Sequence, residues 1–267
     1  MLREPAVAGQ FYPASPQQLR AMVESYLDPQ ARPAPALAAV CPHAGYVYSG
    51  AVAGKVLSRV EVPRRVVVLG PNHRGVGAQA ALMFRGSWLT PLGEVPLDRE
   101  LGEKLLALST LVEEDSLAHR YEHSLEVQVP FLQVLRHEFL LTPLCLGGLS
   151  LKQCLQLGRE LARAVGELEE PVLMVASTDM SHYISARQAE ALDRQAIDRI
   201  LALDPAGLYD TVRSLGITMC GVLPTTVALA AALELGAERA ELVEYTNSGA
   251  VSGDYDQVVG YAGLVIR

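Results

Sequence analysis

Three short, valine-rich apolar runs constrain this chain most, because each ends in a turn-forming segment and delivers a histidine just beyond it. Residues 36–40 run into Cys41-Pro42-His43, and residues 66–69 run into Gly70-Pro71-Asn72-His73. Residues 171–176 run into Ser177-Thr178-Asp179-Met180-Ser181-His182. Runs this short, β-branched and unrelieved by polar residues read as strands buried on both faces. Strands of that kind belong to open α/β sheets, whose ligands bind just past the carboxyl ends of the strands. If the three strands are parallel, their imidazoles leave the sheet along one edge. A metal site is therefore the first expectation.

Further strand-like runs lie at 79–84, 139–146, 240–246 and 258–266. Helix-like stretches lie at 50–59, 98–108, 124–136, 150–167, 185–203, 205–215 and 222–236. The clearest helix carries Leu155, Leu157, Leu161 and Val165 on one face, after Ser150 as its cap. Gly93 and Pro96 interrupt residues 85–97, which reads as a hairpin or an irregular loop. Residues 29–35, with three prolines, read as an extended surface connector. Strands alternating with helices of this length predict a single α/β domain over residues 1–267, with a mostly parallel or mixed central sheet and helices on both faces.

With 50% hydrophobic and 19% charged residues, the chain has the means to bury a large core and is not disordered. A net charge of −8 argues against nucleic acid or an anionic membrane surface as a partner. No segment is long and apolar enough for a membrane span, and residues 1–13 lack the pattern of an export signal. The four cysteines (41, 145, 154 and 220) have no CxxC spacing, so reduced thiols and a cytoplasmic location are expected.

Cys220 precedes Gly221 and a helix that carries Pro224 in its first turn, a position where the helix dipole favours the thiolate form that ligates metals. Cys145 and Cys154 read as small buried residues. Asp179 lies three residues before His182 and Glu126 three after His123, spacings at which a carboxylate could hold an imidazole tautomer. A competing motif is His119-Arg120-Tyr121-Glu122-His123, the H-x-x-E-H of inverted zinc peptidases. It needs a helix, which Pro130 disfavours nearby. Tyr12, Tyr46, Tyr48 and Tyr183 cluster near the same motifs, where they either line a wet pocket for an aromatic or peptide ligand or pack in the core.

Together these motifs resemble the Memo family, whose bacterial and archaeal members are called AmmeMemoRadiSam system protein B. The matching stretches begin with residues 3–13 (Arg3-Glu4-Pro5 to Tyr12-Pro13), the His43 segment and Gly70-Pro71-Asn72-His73. They continue with residues 122–128 (Glu122-His123-Ser124 to Gln128), residues 177–183, Met219-Cys220-Gly221 and Val258-Val259-Gly260-Tyr261-Ala262. The resemblance spans the chain and implies a fold similar to class III extradiol dioxygenases, which use non-haem Fe(II). It implies His43, His73 and Cys220 as metal ligands, and His182 as catalytic base with Asp179 and His123 nearby. Those dioxygenases complete two histidines with a carboxylate. A thiolate here is softer and moves the preference toward copper(I) or zinc, or retunes iron. The implied cofactor is one Fe(II) or copper ion, with zinc as a further candidate. The implied function is a dioxygenase-like oxidoreductase acting on a small-molecule or peptide ligand, functionally linked to a radical-SAM protein. A non-catalytic metal- or peptide-binding module is the main alternative, and the zinc peptidase is a lesser one.

Overall fold

The computed structural model describes all of residues 1–267. Its strands are β1 (Leu2–Arg3), β2 (Ala38–Cys41), β3 (Arg65–Pro71), β4 (Ala80–Leu82), β5 (Ser87–Thr90), β6 (Gly93–Pro96), β7 (Glu113–Glu114), β8 (Leu140–Leu146), β9 (Val172–Ser177), β10 (His182–Ile184), β11 (Ala240–Asn247) and β12 (Val258–Ile266). Its helices are α1 (Pro16–Tyr26), α2 (Tyr46–Leu57), α3 (Arg99–Leu108), α4 (Val129–Leu135), α5 (Leu151–Gly166), α6 (Ala186–Leu201), α7 (Pro205–Ser214), α8 (Val222–Glu234) and α9 (Gly249–Ser252).

Nine strands form the central sheet, in the order β10-β12-β2-β9-β3-β8-β4-β7 with β11 pairing to β12. Its middle four strands, β2, β9, β3 and β8, are mutually parallel. Antiparallel β12 and β4 flank them, so the sheet is mixed. Alternate residues of the parallel strands feed two separate cores, as the period of two in a strand requires. Val67, Leu69, Met174 and Ala176 pack on one face with α5, α7 and α8. Val66, Val68, Leu173 and Val175 pack on the other with α1, α2 and α4. A sheet covered on both sides explains why its strands read as continuous apolar runs.

The expected strands all form. Residues 85–97 resolve into the β5–β6 hairpin, which with β1 makes a separate three-stranded sheet. The helix expected from 124 begins later. A 3-10 turn at Glu126–Gln128 precedes α4, and Pro130 lies in its first turn, where the missing N–H costs nothing. The α1 helix lies outside the expected set, although it carries the usual start signal. Ser15 accepts the Gln18 amide, Pro16 opens the helix, and Leu19 and Val23 are buried. The predicted cap of α5 is a full capping box between Ser150 and Gln153.

One buried ion pair ties β3 to the α3 start. The Arg65 guanidinium donates to both carboxylate oxygens of Asp98 at 2.8 Å, while Asp98 also accepts the Leu101 amide as the N-cap of α3. Glu100 and Glu170 complete the set from the surface. Removing Asp98 leaves Arg65 with the two more exposed carboxylates and takes the N-cap from α3. Asp98→Ala is expected to lower stability by about 1–2 kcal/mol, measured by chemical denaturation, while leaving the imidazole edge of the sheet intact.

Candidate metal centre

His43, the second residue past the end of β2, has its orientation set by the main chain and by one hydroxyl. Its amide donates to Asp179 Oδ1 at 2.7 Å, and its Nδ1 lies 3.0 Å from Ser177 Oγ. The single Ser177 proton points at the Ser124 carbonyl, 2.6 Å away, and its oxygen also receives Gln128 Nε2 at 2.8 Å. Toward His43 the hydroxyl can only accept. Nδ1 must therefore carry the hydrogen and Nε2 the free lone pair.

His73, just beyond β3, obeys the same logic. Its Nδ1 is 2.9 Å from Glu122 Oε1, and its amide donates to Oε2 at 2.6 Å. The His123 and Ser124 amides add two further donors to Oε1, each at 2.9 Å. Burial pushes the Glu122 carboxyl upward, but these hydrogen bonds and the neighbouring imidazoles outweigh it and hold the group at about 2. Ionised Glu122 accepts only, so His73 also presents a free Nε2. His123 Nδ1 lies 3.3 Å from the same oxygen.

These anchors bring three imidazoles together. Ring centroids are 5.2 Å apart for His43 and His73, 5.5 Å for His43 and His123, and 4.7 Å for the stacked pair His73 and His123. One ligating atom from each lies within 4.8 Å of the other two, a group that could hold a metal ion. Burial, followed by the mutual repulsion of imidazolium charges, drives His43 well below its usual range. Burial holds His123 at about 4. Both rings are neutral at physiological pH, which is the ligating state.

Cys220 reaches this group from the residue just before the N-cap of α8. Its sulfur is 3.1 Å from His43 Nε2 and accepts the Asp179 amide at 3.2 Å. Gly221, the N-cap of α8, makes the approach feasible. A Cβ there would fall 2.3 Å from Thr178 Cβ and 2.5 Å from the Ser177 carbonyl oxygen. Gly70 serves His123 similarly, since a Cβ would fall 2.7 Å from both Ser124 Oγ and Leu125 Cδ1. The helix N-terminus does not lower the Cys220 thiol as its position predicts. Burial, reinforced by Asp179, pushes it up instead. A bound cation would reverse that balance.

The remaining residues divide. His182 opens β10 instead of joining the converging imidazoles, and its Nδ1 is held by the Thr218 carbonyl at 3.0 Å. Asp179 does not hold His182. It accepts the His43 amide, and burial raises it to about 7. Glu126 does not hold His123 either. It is buried among Arg3, Tyr12 and the amides of Ala6 and Val7. The tautomer anchors are Ser177 and Glu122, which pairing by sequence distance overlooked; the hydroxyl that closes a buried strand was the available signal for Ser177. Of the tyrosines, Tyr12 and Tyr46 are buried, with hydroxyls donated to Glu126 and to the Val127 carbonyl, so they are core residues. Tyr48 and Tyr183 are exposed, and Tyr183 holds a left-handed φ of 58°.

The H-x-x-E-H segment is not a helix. His119 is buried, its Nε2 3.1 Å from the Ala81 carbonyl and its ring edge-on to Trp88, away from the cluster. Glu122 is occupied beneath His73. The peptidase arrangement therefore does not form.

A mixed, two-faced α/β sheet with convergent, tautomer-locked imidazoles at the carboxyl edge of its parallel strands defines a metal-competent single-domain protein. The chain belongs to the Memo family, whose sequence profile, described as Memo-like protein, matches residues 3–265. It is 45% identical to a MEMO1 family protein of Archaeoglobus fulgidus over 266 residues, covering 100% of both chains. It is 42% identical to one of Aquifex aeolicus over 269 residues, covering 99% of this chain and 98% of that one. An uncharacterized protein of Escherichia coli K12, 13% identical, shares the fold with a TM-score of 0.51 over 84% of this chain and 98% of its own.

Replacing Glu122 by Gln removes the charge that receives the His73 amide and ring. Metal affinity is expected to fall about 10–100-fold by competition titration, with the far-ultraviolet spectrum unchanged. Acid should also loosen the fold. Burial, then Arg3, holds His119 at about 4 against an ordinary 6.5. The unfolded chain thus takes up this proton first, and the contribution of neutral His119 is complete above 6.5 and lost as pH falls toward 4. Melting of the metal-free protein should shift downward from pH 7 to 4.5, and His119→Asn should make that slope shallower.

Proposed function

We propose that this Memo-family protein is a metal-dependent redox enzyme, dioxygenase-like in its site, that takes one Fe(II) or copper ion, with zinc as the non-redox competitor. One observation carries the reading: His43 and His73, anchored through Nδ1, and His123 bring one ligating nitrogen each within 4.8 Å of one another, beside a cysteine sulfur 3.1 Å from His43 Nε2. His43 and His73 would be the fixed ligands. Cys220 would be the third, with His123 the nearest further nitrogen. A mixed nitrogen and sulfur donor set suits copper, iron or zinc and fits magnesium or calcium poorly. When bound, such an ion would supply redox capacity or Lewis acidity at this edge of the sheet.

The chain itself supplies proton handling. Asp179, raised to about 7 by burial, can hold or release a proton near neutral pH. The free Nε2 of His182 is the second carrier, lowered by burial and opposed by its bond to Thr218. Tyr48 and Tyr183 present amphipathic rings nearby for a small-molecule or peptide substrate. All four cysteines are unpaired, which suits a reducing, cytoplasmic setting. No helix is long and apolar enough to cross a membrane. A radical-SAM protein would be the functional companion that the family name implies.

The same exposed tyrosines favour a second reading, a module that grips metal or peptide without turnover. Anaerobic metal analysis and oxygen uptake separate the two. His43→Ala should lose bound metal, and iron- or copper-loaded wild type should consume oxygen continuously. Cys220→Ser and His123→Ala identify the third ligand by which of them loses the ion. Equal metal in wild type and His43→Ala would end the metal-site reading, and metal without oxygen uptake would leave the binding module.

A further inference from the structure

At the opposite end of the sheet from the imidazoles, four arginines converge on one cleft. Arg32 lies on the proline-rich connector, Arg59 follows α2, Arg239 precedes β11 and Arg267 follows β12. The cleft has a volume of about 530 Å³, and its acidic residues are Asp28 and Glu241. Convergence of this kind is unexpected in a chain of net charge −8, because neighbouring guanidiniums repel one another unless something occupies the space between them.

The two acids do not neutralise the group. The Asp28 carboxylate is turned onto its own loop, accepting the Gln30 amide at 2.9 Å. Glu241 is shared, lying 2.9 Å from Arg59 and 3.6 Å from Arg267. Arg267 also donates to the Arg59 main-chain carbonyl at 3.0 Å, which holds its guanidinium against the end of α2. Its Nε is buried and has no acceptor in the protein. Arg32 and Arg239 are exposed and enter no ion pair. The cleft thus holds two guanidiniums positioned by Glu241, two that are free, and one buried N–H still lacking an acceptor.

The geometry points to an oxyanion site that binds a small phosphorylated molecule, separate from the imidazole cluster. Planar guanidiniums match phosphate oxygens two at a time, and a divided set of four suits a ligand with more than one phosphate oxygen face. The volume exceeds what inorganic phosphate fills and lies within the range of small-molecule sites, about 300–1,000 Å³. The cleft is open to solvent, and a soluble phosphate ester and a lipid headgroup would offer it the same oxyanion, so the experiment below separates the two. The site owes nothing to metal chemistry, so it stands or falls independently of the redox reading.

Pyrophosphate is the probe, titrated calorimetrically into chelator-treated full-length protein at constant ionic strength. Saturable binding is expected in wild type and in His43→Ala. At least tenfold weaker binding is expected in Arg32→Ala/Arg239→Ala, whose melting temperature without ligand should match wild type because neither side chain is paired. Arg32→Lys/Arg239→Lys should recover part of the loss through charge alone. Absence of saturable binding beyond a sodium chloride control, or equal affinity in the double alanine variant, would overturn the proposal. Loss of binding in His43→Ala would also overturn it, by placing the anion at the imidazoles. Binding to phosphatidylglycerol vesicles without pyrophosphate binding would assign the arginines to a lipid surface instead and reject the small-molecule site.

Discussion

A buried carboxylate pair under the imidazoles supports the rest of the site. Glu126 is fully inaccessible and receives the Arg3 guanidinium at 2.6 Å, together with the amides of Ala6 and Val7. Arg3 in turn caps the His119 and Glu122 carbonyls at 2.8 and 2.7 Å and stacks over Trp88. The N-terminal segment is therefore bolted to the loop from which Glu122 and His123 rise. An ion pair so deep gains its strength from the low dielectric around it, and loses far more if one partner goes than the pair contributes net. Four residues earlier in the chain, Glu122 repeats the device with amides and an imidazole in place of Arg3.

Packing explains why this support can be so polar. The sheet separates two apolar cores, and the parallel strands β2, β3 and β9 end at one edge, where Cys41 and Leu125 of one core and Met180 and Met219 of the other flank the polar groups. Polar groups gathered there are shielded from water yet surrounded by backbone donors. Each proton on Ser177, His43 and His73 has a single acceptor, which forces one tautomer on each ring without any assumption about a bound ion. The site is organised before a ligand arrives, the condition under which metal affinity and selectivity are set by the protein.

Much of this was legible in the residues. Valine-rich runs with Gly or Pro at their ends gave the strands, and the strand-to-histidine spacing gave His43 and His73. Local rules failed where the partner was distant. Asp179 and Glu126 stand three residues from histidines, yet serve the His43 amide and Arg3 instead. Tyr12 and Tyr46 neighbour the site in sequence, yet their hydroxyls are satisfied in the core. His119 and Glu122 match a peptidase motif only while the segment is imagined as a helix. Cys220 was expected to be acidified by the helix it precedes, but burial and Asp179 dominate.

By itself the amino-acid order determined the period-two strands, the two-faced sheet and the edge from which the first two imidazoles emerge. Those features depend on local apolar patterning and on the geometry common to all parallel sheets. Only the tertiary structure decided that His123, which the family resemblance already placed near the site, stands among the ligating rings, that Ser177 and Glu122 lock the His43 and His73 tautomers, and that four arginines meet at the far end. Those outcomes rest on contacts between residues tens to more than two hundred positions apart. Close approach at Gly70 and Gly221, and the distribution of a few buried protons, selected them from the many pairings the same residue types allow.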